Sequence, residues 1–62
     1  MIYVKNFNTY HKVCRDLLTG MYGISTCIDP GMDGFVFDGK FPLFNTPDEA
    51  EKYLRDNYEE VE

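Results

Sequence analysis

Ten of the 62 residues are Phe or Tyr, and a chain this short cannot enclose them all. A domain of about 60 residues buries only about 60% of the surface that its unfolded chain exposes. Each aromatic ring offers roughly 150 to 250 Å² to a core. The rings therefore supply the core that the length alone would not, and the surplus is left at the surface as interface residues. Tyr3, Tyr10, Tyr22 and Phe41 are the expected surface set. One compact domain over residues 1–62 is expected, with no repeat, low-complexity tract or linker inside it.

Local patterns then assign elements. Ile2-Tyr3-Val4-Lys5 is β-favouring and reads as a first strand. Asn8 or Thr9 offers an N-cap, and Tyr10, Val13, Cys14, Leu17, Leu18 and Met21 recur at helical spacing. That stripe predicts a helix closed by Gly20 or Gly23. Residues 23–28 alternate as a strand, and Asp29-Pro30-Gly31 suits a type II turn. Phe35-Val36-Phe37 reads as a strand, with Asp38-Gly39 as a type I′ hairpin turn. The returning strand, Lys40 to Phe44, contains Pro42 and so belongs at an edge. Thr46-Pro47-Asp48-Glu49 combines a cap, a proline at the first helical position and a capping box. Ala50, Tyr53, Leu54, Tyr58 and Val61 continue it as a second apolar stripe. The expectation is an α+β fold of order β-α-β-β-β-α: two amphipathic helices on one face of a three- or four-stranded antiparallel sheet. Its expected core is Val4, Val13, Cys14, Leu17, Leu18, Ile24, Ile28, Phe35, Phe37, Leu43, Ala50, Tyr53 and Leu54.

From residue 9 onward the order α-β-β-β-α resembles that of double-stranded RNA-binding domains. That family places basic residues at the start of its second helix, where this chain has Asp48-Glu49-Ala50-Glu51. The resemblance implies a topology and not RNA binding. Phe44 to Glu51 is also similar to the strand-to-helix junction of phage integrase arm-binding domains, over eight residues that are mostly the capping box.

Charge narrows the partners. Net charge is −5, and it divides unevenly: residues 1–31 sum to +1 and residues 32–62 to −6. No basic patch answers to a phosphate backbone, so no direct nucleic-acid contact is expected. No apolar run approaches the roughly 18 residues that span a bilayer, and the first residues lack the apolar stretch of a secretory signal. A cytoplasmic protein is expected, with Cys14 and Cys27 reduced and packed as small hydrophobes.

Chemistry-bearing patterns are sparse. His11, Cys14, Cys27 and Asp29 do not make the paired short spacings of a structural zinc site. A calcium loop starting at Asp29 would put Gly31 at its third position and Lys40 at its twelfth, where a bidentate Glu is needed. Ser25 and Cys27 are nucleophiles by residue type alone, and His11 is the only histidine. The glycines are dispersed rather than gathered in a phosphate loop. No enzyme, no catalytic residue, no metal and no cofactor is expected.

What remains is a binding surface. Glu49, Asp56 and Glu60 recur at steps of seven and four, with Glu59 beside them, so a long second helix would carry them as one acidic stripe. The expected function is a small acidic protein-binding module of the kind phages and mobile elements use as inhibitors. Its helix would occupy a partner's basic, nucleic-acid-binding surface, with the surface aromatics as anchors. The alternatives are a self-associating accessory protein, such as a homodimer, and an aromatic platform for single-stranded nucleic acid.

Overall fold

The computed structural model describes residues 2–4, 9–28 and 34–61. In chain order they form β1 (Tyr3–Val4), β2 (Tyr10–Arg15), β3 (Tyr22–Cys27), β4 (Val36–Phe37), α1 (Pro47–Asn57) and β5 (Glu59–Glu60). The strands make one sheet of order β4-β3-β2-β1-β5, antiparallel at every ladder. Helix α1 lies against one face of it. No described helix is long and apolar enough to cross a membrane.

The fold is therefore not two helices on three or four strands, and the difference arises at residues 9–21. Tyr10 to Arg15 form the longest ladder of the sheet with Tyr22 to Cys27, from Tyr10↔Cys27 to Arg15↔Tyr22. Period two wins over the helical stripe there because β3 offers the segment six partners in register. His11 and Val13 turn towards α1, as do their partners Thr26 and Ile24. Lys12 and Cys14 turn away, with Ser25 and Gly23. Beyond Arg15 the side chain of Asp16 bonds local backbone and ends any regular run. Leu17 and Leu18, expected in the core, stand 87% and 96% exposed.

The second half follows its sequence signals more closely. Thr46 caps α1 and completes a capping box with Glu49, and Pro47 opens the helix. Tyr58 ends it with an extended backbone, three residues short of the expected stripe through Val61. The Asp38-Gly39 hairpin does not form. A type I′ turn needs φ > 0 at both central residues, and among the described glycines only Gly20 and Gly34 have it. Instead the chain stays on the same side of β3. Ser25 faces Phe37 and Tyr22 faces Phe44, so four extra residues are looped out between the two pairings.

Tyr3, Ile24, Ala50 and Leu54 are fully enclosed, with Val13, Tyr22, Phe41, Phe44, Tyr53 and Tyr58 packed around them. Ile28 and Phe37, also expected inside, are exposed. Tyr3, Tyr22 and Phe41, expected at the surface, are in this cluster instead. A sheet of five strands with one helix has a single two-sided core, so rings close to the helix fill it and apolar residues at strand ends do not. The cap at Asn8, the turn at Asp29 to Gly31 and the calcium loop from Asp29 lie outside the described residues in whole or part.

Candidate partner-binding surfaces

The connection between β2 and β3 is built to hold two leucines in water. The Asp16 N–H donates to the Met21 carbonyl at 2.8 Å, and the Gly20 N–H to the Asp16 carbonyl at 2.7 Å. The Asp16 carboxylate accepts from the Leu18 N–H at 3.2 Å and from the Thr19 hydroxyl at 2.8 Å. Thr19 Oγ1 in turn accepts from the Met21 N–H at 3.2 Å. Gly20 supplies the left-handed step, with φ of 76°. Backbone and polar side chains of the tip satisfy one another, which leaves Leu17 and Leu18 free of any packing role.

The acidic residues are not one helical stripe. Glu49 Oε1 accepts from the Asn45 and Thr46 N–H groups as part of the capping box. Asp56 holds Lys52 at 2.7 Å along the helix. Glu59 and Glu60 are in β5, beyond the end of α1, opposite Val4 and Tyr3. Glu60 thus shares no helix face with Glu49 and Asp56. What the fold creates instead is an acidic sheet edge, because β5 is the outermost strand on that side and both its residues are exposed glutamates.

The aromatics divide in the same way. Tyr3 is fully buried and its hydroxyl donates to Glu51 Oε1 at 2.8 Å. Burial first, and then that carboxylate, push its phenol pKa up. Phe41 packs edge-on against His11 and Tyr53. Tyr22 is half-buried, with the Arg15 guanidinium 5.6 Å from its ring centre. Tyr10 is half-buried on the face turned away from α1. The ring that does reach solvent is Phe37, which lies over Gly23 on that same open face. A Cβ on Gly23 would stand 2.6 Å from the Phe37 ring, so the glycine is what lets the ring settle there. Alternation within β3 indicates this position; the reading of Phe37 as a core residue concealed it.

The open face carries a shallow groove of about 540 Å³, lined by Lys12, Cys14, Ser25, Phe35 and Phe37 among others. The Lys12 ammonium sits 4.5 Å from the centre of the Phe35 ring, so its charge is already engaged. Ser25 Oγ donates to the Lys12 carbonyl at 3.3 Å. His11 is on the opposite face, so Ser25 has no histidine beside it. Neither cysteine is in a disulfide. Among the described residues no three His, Cys, Asp or Glu side chains gather as metal ligands would.

The remaining polar cluster lies beneath the looped-out residues. His11 Nδ1 is 3.0 Å from Thr26 Oγ1, and the Thr26 hydroxyl donates to Asp38 Oδ2 at 2.7 Å. That hydrogen bond is the main reason the Asp38 carboxyl is held below its ordinary pKa. A carboxylate only accepts and Thr26 has one proton, so Nδ1 must carry the hydrogen that bonds Thr26. His11 therefore donates a hydrogen bond to Thr26 and does not accept one from it, the reverse of what activating a nucleophile requires. Compared with protein-family models, with curated proteins and with solved structures, the chain matches none.

Proposed function

We propose that this chain is a non-enzymatic protein-binding module that seats the Leu17–Leu18 tip in an apolar cleft of its partner. The observation that carries the reading is the pairing of near-complete exposure with a tip already fixed by its own hydrogen bonds. A large apolar side chain left in water is unfavourable, and a loop that needs no ordering loses little entropy on binding. The acidic edge of β5 lies level with Tyr10 and His11, at the far end of β2 from the tip, so Glu59 and Glu60 favour a partner that reaches along the sheet and carries basic side chains there. An inhibitor that covers a basic surface is one form such a module can take.

A photo-reactive leucine analogue in place of Leu18, whose side chain takes no part in the hydrogen bonds of the tip, would cross-link the partner, and the affinity of the purified pair would then be measured. Leu17→Ser/Leu18→Ser should leave the circular dichroism and melting temperature unchanged, since neither side chain packs in the fold. Affinity should fall about a hundredfold or more, each leucine contributing roughly 1.5–3 kcal/mol when buried. Glu59→Lys/Glu60→Lys should act mainly on the association rate and its salt dependence. Absence of any cross-linked protein, or full affinity in the double-serine variant, overturns the reading.

A further inference from the structure

We propose that the looped-out residues 38–43, together with Tyr58, form a lid over His11 that lifts when the imidazole takes up a second proton. The proposal is independent of the hairpin tip and concerns the opposite side of β3.

The lid is tied at both ends and carries a turn of its own between them, in which the Lys40 N–H donates to Asp38 Oδ1 at 3.0 Å and the Phe41 N–H to the Asp38 carbonyl at 3.3 Å. At one end the Asp38 N–H donates to the Ile24 carbonyl at 2.9 Å, and at the other Tyr22 and Phe44 exchange two backbone bonds of 2.9 and 2.7 Å. Between them Gly39 has open space around it, and Phe41 hangs inward over the sheet. The Phe41 ring centre is 5.1 Å from that of His11, and Tyr58 closes the other side at 4.7 Å. Under these two rings His11 is only 5% exposed.

Because Nδ1 already carries its hydrogen, an added proton must go to Nε2. The resulting cation would lie among aromatic rings with no carboxylate in direct contact. Asp38 is one hydroxyl away, through Thr26. The charged groups whose fields reach the ring are Asp38 and Lys40; burial first, and then the Lys40 ammonium, disfavour the charged ring and together outweigh Asp38, so the imidazole is held below its usual pKa. Tyr3, directly opposite His11 on β1, has its hydroxyl committed to Glu51 and offers the ring nothing. Glu60 and Arg55 flank Tyr3 further out. Tyr53 faces Phe41, and Tyr58 is itself a neutral phenol with a raised pKa. The route to a hydrated imidazolium is through the lid, because β2 and β3 on the other sides are continuous ladder.

Nuclear magnetic resonance between pH 7.5 and 4.5 tests this directly. His11 should titrate below 6.5, and protection of the Lys40 and Phe41 amides, referred to intrinsic rates at each pH, should fall at least tenfold across the same step. The amides of Cys14 and Ser25, which point into the β2–β3 ladder, should stay protected. Phe41→Leu, which thins the lid without touching Thr26 or Asp38, should bring the His11 titration up towards 6.5. An ordinary or raised His11 pKa in the unaltered chain, or simultaneous loss of lid and ladder protection, overturns the lid. So does a Phe41→Leu chain whose His11 titrates unchanged.

Discussion

Thr26 is the residue on which the polar interior depends. Its single hydroxyl both accepts from His11 and donates to Asp38, so one side chain joins β2, β3 and the loop after β4. Replacing it with Val keeps the shape and the β-branch but removes both bonds. The His11 Nδ1–H is then buried without an acceptor, an effect of about 1–3 kcal/mol. Thr26→Val should therefore lower the urea midpoint and raise the Asp38 pKa towards its ordinary value, whereas Thr26→Ser should change neither much. A Thr26→Val chain as stable as the original would show that the relay carries no stability. Asp16 has a comparable role at the hairpin tip, where its carboxylate takes two donors that the turn would otherwise leave to water.

At the scale of elements, α1 and β2 differ in how openly the sequence declares them. The start of α1 is written in local chemistry: Thr46, Pro47 and Glu49 each satisfy a backbone requirement within four residues. Thr46→Ala should cost about 1 kcal/mol and fray the first turn, measurable as faster exchange of the Glu49 amide, which donates to the Thr46 hydroxyl. β2 has no such local marker. Tyr10, Val13, Cys14, Leu17 and Leu18 fit a helical face as well as Tyr10 to Arg15 fit a strand, and the choice is made by β3, which offers six partners in register. Gly20 was readable as a left-handed residue but not as a hairpin turn rather than a helix end. The acidic stripe depended on α1 continuing past Tyr58, and there β1 captures Glu59 and Glu60 as a strand. The His11 relay was illegible because pairing between separate segments produces it, and the leucine tip because Leu17 and Leu18 fit the helical stripe that β3 overrides.

For the whole molecule, the titrating groups define a window of stability. His11 has a lowered pKa in the fold, so the unfolded chain binds its proton first and stability declines as pH falls through about 6.5 and on to the folded value. Asp38 is lowered too, and adds a further decline below about 3.8. Tyr3 and Tyr58 are raised, so the unfolded chain ionises first above about 10 and stability falls again. Urea midpoints should therefore be flat between about pH 7 and 9 and lower on either side. In His11→Gln the decline that begins near 6.5 should vanish; its persistence would assign that decline elsewhere.

The place of β1 between β2 and β5 fixes an order of events. The hairpin of β2 and β3 closes over residues 16–21, whereas Tyr3 meets Glu60 across 57 positions of chain. Loop-closure entropy grows with the logarithm of length, so the long connection costs about 2 kcal/mol more than the short one. The hairpin is then the nucleus, and the β1–β5 ladder is the last part to form and the first to be lost. The acidic edge is therefore a late product of folding, and a chain caught on the way displays its leucine tip before it has acquired that edge.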